Sequence, residues 1–513
     1  MVNYFFTFAC MTAIKRLAGQ TAIYGIPSVL GRILGYLLVP LYTYVFQPGD
    51  YGTVNVFYAY TSFLMVVLTY GMETTFFRFN EQENNKTVVF STGMISLLIT
   101  SALFLAIVLH FSRDIARWIE YPAHPEYVRW FAWILALDST AAIPFARLRA
   151  QNRPARFAWI KMTNITLNIA LNLFFLVLCP YVLNHHPNGS FGHLISNIYK
   201  QNWGIEYIFI SNLAASAITV IMLIPQISGV RWKINPELWK KMLFYAFPLL
   251  FAGMAGIVNE TFDRLLLRYL LPKGIASYDV GIYTACYKIS ILMTIFIQAY
   301  KYAAEPFFFA QAKEKDAKLV YARIMDYFII IVSLIFLVTM LYLNDFILPL
   351  LVRNKVYWEG RGVIPVLMMA NLFLGVYYNL SIWYKLTGKT SWGAWLSLVG
   401  AIITLVLNFW WIPLSSQHLI YGYYGSAWAT FICYGSMMVL SYLIGQKYFP
   451  VNYNLKKFIG YLGLSVMLYA ISTIIKPELK VISIGFHTIL VLIFLSIVLL
   501  IEKPKFSLSN FFK

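Results

Sequence analysis

Arg32, Arg264 and Lys288 carry positive charge into apolar stretches long enough to cross a bilayer. An arginine at mid-helix costs at least about 2.5–3.5 kcal/mol on insertion scales, so it needs a partner or a wet cavity. The chemistry on offer is reversible binding of charge rather than bond breaking. For Arg32 the competing arrangement is a fixed ion pair with Glu73 or Asp263. In NETFDRLLLR, Glu260 and Arg264 are spaced i,i+4 and can neutralise each other, with Arg268 extending the same face. That set reads equally as a self-satisfied pair or as a gate or ligand site. Lys288, alone in CYKISIL, suits an anionic headgroup or a cation-coupled switch. Asp138 can pair with any of these cations, and its protonation would make a coupling step.

Uncharged groups add to the inventory. Asn164, Asn168 and Asn172 repeat every four residues, a polar ladder on one helix face. Such amides can bond a ligand in a cavity, but gluing helices together is their commoner use. Glu73 with Arg78, and Glu305 before Pro306, look like matched charges at one mouth of the chain. No catalytic constellation is expected. His185, His186 and His193 share a loop without a converging carboxylate, so no metal site is predicted. There is no Walker A loop or nucleophile elbow, and the scattered cysteines read as small buried hydrophobes.

The elements that position these residues follow from composition. The 513 residues are 60% hydrophobic and only 12% charged, half the share usual in soluble domains. Apolar runs predict fourteen transmembrane helices, near 17–46, 51–77, 88–111, 127–147, 157–179, 206–226, 239–271, 278–302, 324–350, 362–386, 391–413, 420–446, 457–475 and 481–501. The fold class is an all-α polytopic membrane protein. The net charge of +19 falls mostly on alternate connections, including Arg147 to Arg156, Arg231 to Lys241 and Lys301 to Arg323. The positive-inside rule then places both termini in the cytoplasm. The basic excess is a topology signal with anionic lipid as a second partner, and nucleic acid is not expected. MVNYFFTFACM lacks a basic leader and a cleavage site, so it is not read as a signal peptide, and Met11 is an alternative start.

The two halves rhyme. Pro27, Arg32 and Asp50-Tyr51-Gly52 are followed by Glu73-Thr-Thr-Phe-Phe; Pro248, Arg264 and Asp279-Val-Gly-Ile-Tyr283 are followed by Glu305-Pro-Phe-Phe-Phe. Helices 1–2 thus correspond to helices 7–8. The six helices between them are an even number, which makes a parallel repeat about the membrane normal. Two six-helix lobes are expected over 1–230 and 231–450, with two additional helices over 451–513.

RLAGQTAIYGIPSVLGRILGYLLVPLYT, FQPGDYGTVNVF, GMETTFFRF and VGIYTACYKISILMTIFIQAYKYAAEPFFF together resemble the polysaccharide flippases of the multidrug/oligosaccharidyl-lipid/polysaccharide exporter superfamily. The resemblance covers most of helices 1–12. It implies a bacterial inner-membrane flippase moving an undecaprenyl-diphosphate-linked oligosaccharide by alternating access, for lipopolysaccharide (O-antigen) or capsule synthesis. The diphosphate would be held by Arg32, Arg264 and Lys288, since arginine binds phosphate through a two-pronged fork. Glu73, Asp138, Asn164, Asn168, Asn172, Glu260, Asp263, Arg268 and Glu305 would line or gate the cavity. No cofactor is implied; energy would come from H+, Na+ or the membrane potential, about 2.3 kcal/mol per charge per 100 mV. Partners would be the lipid-linked glycan, membrane lipids and the polysaccharide polymerase or ligase machinery. One rival is a multidrug cation antiporter of the same superfamily, for which an acidic cavity is expected. Another is a membrane glycosyltransferase or polymerase, but the longest outer loop, near 180–205, falls short of the roughly 50 residues of a small domain.

Overall fold

The computed structural model describes residues 34–502, with breaks at 313, 315, 418–421, 476 and 478. Arg32 lies outside the described residues. Among them, thirteen helices are long and apolar enough to cross a membrane, and a shorter apolar helix precedes these. In chain order they are α1 (Leu34–Val45), α2 (Pro48–Gln82), α3 (Lys86–His110), α4 (Pro125–Ala150), α5 (Pro154–His185), α6 (Glu206–Ile227) and α7 (Pro236–Leu270). There follow α8 (Lys273–Lys301), α9 (Ala317–Leu341), α10 (Lys355–Leu386), α11 (Ser391–Ser415), α12 (Gly422–Tyr448), α13 (Leu455–Ile474) and α14 (Lys480–Glu502). Each coincides with one expected span, the first being described only from residue 34. The chain is a multi-pass, all-helical membrane protein.

The helix starts are written locally. Proline opens α2, α4, α5 and α7, where its missing N–H would have had no helical partner. Asn85, Asn235 and Asn454 accept from the backbone N–H of Val88, Leu238 and Lys457, capping α3, α7 and α13. Two helices are interrupted. In α2, Tyr70 (φ 34°) and Gly71 (φ 71°) are consecutive left-handed residues, so the helix ends at Thr69 and restarts at Met72. A Cβ on Gly71 would lie 2.7 Å from Leu249 Cβ of α7, so glycine is required there for space as well as conformation. In α5, Phe174–Leu178 widens into a π turn.

The chain forms two compact units, 1–284 with 397–429, and 285–396 with 430–513. These units follow packing; the lobes expected over 1–230, 231–450 and 451–513 follow the repeat and stand as a proposal. In the first unit α4 packs against α3 and α6, α5 against α6, and α2 against α7. Met72, Phe76, Phe90, Met94 and Met242 fill one core. Phe131 stacks on Phe57 at 5.0 Å and meets the edge of Phe209 at 4.8 Å. In the second unit α9 packs against α10, α13 and α14. Lys457 of α13 lies 3.2 Å from Asp326 and 2.8 Å from Glu502, which also accepts from the Tyr461 hydroxyl at 2.5 Å. Toward the opposite end of α14, His487 Nδ1 stands 3.3 Å from Asp345 Oδ2.

Candidate functional site

Asp263, Arg264 and Arg268 of α7 are buried, and both arginines contact carboxylates. Asp263 Oδ1 accepts from the Arg264 backbone N–H at 2.8 Å and from Arg264 Nη1 at 3.2 Å. Asp263 Oδ2 accepts from the Tyr283 hydroxyl of α8 at 2.6 Å. Arg264 Nη1 also donates to the backbone carbonyl of Glu260 at 2.7 Å. The expected Glu260–Arg264 pairing is therefore corrected: the Glu260 side chain is exposed, and the counter-ion is the adjacent Asp263. The i,i+4 rule identified the right turn of helix but the wrong group, because Arg264 folds back onto the Glu260 carbonyl.

Arg268 does not extend an open cationic face. It is 7% exposed, with Nη2 3.5 Å from Glu120 Oε2 and its guanidinium carbon 5.0 Å from the Tyr121 ring centre. Glu120 Oε1 also takes Lys273 Nζ at 2.8 Å. Glu120 sits in a left-handed turn (φ 65°) between α3 and α4. Sequence reading missed it, because nothing local marks a partner so distant in the chain.

Asp138 of α4 lies near Ser216 of α6 and Lys161 of α5, a lysine absent from the expected set. Its partners lie on neighbouring helices rather than among Arg264, Arg268 and Lys288. Lys161 Nζ is 4.5 Å from the Phe145 ring centre. The asparagine ladder ties helices together. Asn164 donates to Thr219 of α6 at 2.9 Å, Asn172 donates to Asn168 at 2.7 Å, and Asn172 accepts from Tyr42 of α1 at 2.9 Å. Here the amides connect α5 to α6 and to α1.

Glu73 pairs with Arg149 of α4, while Arg78 stacks 4.2 Å from the Tyr245 ring centre. In the second unit Glu305 accepts from Lys385 of α10 at 2.7 Å. Each carboxylate is bound to a base two helices further on, the relation the expected repeat would place in both halves. Lys288 stands half-buried on α8 between buried Tyr287 and Ile289. Among the described residues no group of three or more His, Cys, Asp or Glu could hold a metal ion.

Residues 17–135 match a family described as polysaccharide biosynthesis protein. Among curated proteins nothing matches the chain. Among solved structures it is similar to the lipid II flippase MurJ in an inward closed conformation, with TM-score 0.65 and 15% identity over 93% of this chain and 98% of that one. It is also similar to an inward-facing multidrug resistance MATE family transporter of the MOP superfamily, with TM-score 0.60 and 14% identity over 83% and 94%. The Vibrio cholerae MATE transporter VcmN in the bent form aligns with TM-score 0.54 and 12% identity over 88% and 99%. At these identities the likeness is one of fold. The chain has the fold of the MOP-superfamily transporters, and its N-terminal part carries the sequence pattern of polysaccharide biosynthesis proteins.

Proposed function

We propose that this protein is a flippase moving an undecaprenyl-diphosphate-linked oligosaccharide outward across the bacterial inner membrane by alternating access. The observation that carries this reading is the extent of the lipid II flippase likeness. It spans 93% of the chain, too much to leave out both α13 and α14, whereas the two multidrug transporters span 83% and 88%. The family match over 17–135 adds a glycan context. Lysine and arginine alternation supports an orientation with both termini in the cytoplasm and the α1–α2, α3–α4 and α7–α8 connections outside.

Arg32 and Lys288 are the cations assigned to the diphosphate. Arg264, committed to Asp263, serves instead to fix α7 against α8 through Tyr283. The test is translocation of labelled lipid-linked oligosaccharide in proteoliposomes, run beside a cationic-dye efflux assay. Uptake of the glycolipid with no dye transport is expected. Dye transport alone would replace this reading with the multidrug one.

A further inference from the structure

Gly52 on α2 and Gly281 on α8 cross backbone to backbone. A Cβ built on Gly52 would overlap the carbonyl oxygen of Ser277 and lie 2.9 Å from the Gly281 nitrogen. A Cβ built on Gly281 would overlap the carbonyl oxygen of Pro48. The contact is reciprocal, because each glycine meets the carbonyl one helical turn before the other glycine. Each glycine also closes the same tripeptide pattern, Asp50-Tyr51-Gly52 and Asp279-Val280-Gly281. A self-complementary contact of this kind is what a two-fold axis imposes, and here it joins two segments of one chain within the first unit.

Such a crossing brings two helix backbones into direct contact, which only glycine allows, with buried Tyr51, Val54, Val280 and Ile282 beside it. Beside it stands a charged contact on the same side of the membrane. Glu120, from the α3–α4 connection, holds Arg268 and Lys273, which flank the α7–α8 connection. The Tyr60 and Tyr269 hydroxyls are also bonded to each other, tying α2 to α7.

We propose that the Gly52–Gly281 crossing is the outer gate of the transporter, latched by Glu120 on Arg268 and Lys273. This rests on the flippase reading for what passes through, but the gate itself is a statement about two helix ends. Opening draws Gly52 away from Ser277 and Gly281 away from Pro48 together, because neither contact can be lost alone. The glycines are needed for closure and not for opening, so bulk at either position favours the open form.

The experiment uses the full chain in proteoliposomes, with spin labels at Gly49 and Gly274. A Cβ meets nothing within 4 Å at either position. Gly52→Leu and Gly281→Leu should each lengthen the label separation and lower the closed population about tenfold or more, as overpacking a tight contact does. Gly256→Leu, also at an open position, should leave the separation unchanged. Folded leucine variants with the wild-type separation would overturn the gate. Should those variants fail to fold, cysteines at Gly49 and Gly274 joined by a short cleavable cross-linker in the otherwise native chain decide the matter. Cross-linked protein should lose translocation and regain it on cleavage; full translocation while cross-linked would overturn the gate. If wild-type protein moves no lipid-linked oligosaccharide yet the leucine variants lengthen the separation, the substrate reading falls and the gate stands.

Discussion

Tyr283 donates its hydroxyl proton to Asp263 at 2.6 Å, leaving the other carboxylate oxygen to Arg264. One buried carboxylate therefore closes a three-residue unit that staples α7 to α8. The pairing gives Arg264 a buried counter-ion on its own helix.

Removing the Asp263 charge takes its counter-ion from a buried guanidinium, which costs about 3–5 kcal/mol. Asp263→Asn should lower the melting temperature of the purified protein in detergent. Asp263→Asn combined with Arg264→Met should recover most of the loss. Equal destabilisation of the single and double variants would contradict the pairing. Tyr283→Phe should cost about 1.5–3 kcal/mol, the usual value for a hydrogen bond to a charged group.

If Arg32 and Lys288 hold the diphosphate, Arg32→Ala should abolish translocation while membrane insertion stays intact. Arg32→Lys should restore only part of it, because the planar fork is lost. Lys288→Arg should keep activity better than Lys288→Ala. Unimpaired translocation by Arg32→Ala would remove that residue from the binding role.

The fourteen-helix topology makes a separate prediction. Cysteines placed at 47–50, 181–200 and 414–419 should react with an impermeant thiol reagent from the periplasmic side. Those placed at 150–153 and 313–316 should not. Labelling of both groups from one side would break the map.

The spans were legible because bilayer thickness acts on every residue of a run, so composition alone reports it. The helix starts set by Pro48, Asn85, Asn235 and Asn454 fall two to three residues before the expected span starts, because caps act outside the apolar run. Partner choice was not legible. Glu120 reaches Arg268 from a different connection, and Arg149 takes Glu73 from α4. Even where partners are close in sequence, as with Glu260 and Asp263, side-chain direction decides the pair and spacing does not. Gly52 and Gly281 were visible as members of a repeated motif. Their meaning appeared only when the backbones were seen to touch.

Lys457 makes a further test possible. It lies between Asp326 and Glu502, with all three side chains under a third exposed. Lys457→Met would leave two carboxylates without their cation, a cost of about 2–3 kcal/mol given the partial exposure. Hydrogen exchange should quicken in α13 and α14 and stay unchanged in α3 and α4. Uniform change across the chain would argue against a local staple.

The interruption at Tyr70 and Gly71 makes α2 two rods joined by an elbow. The longer rod carries Gly52 at its far end, and the shorter carries Glu73 bound to Arg149. Because no unbroken helical ladder runs through the elbow, torque on the long rod need not reach the short one. A swing of the far end would leave the anchored segment's salt bridge in place.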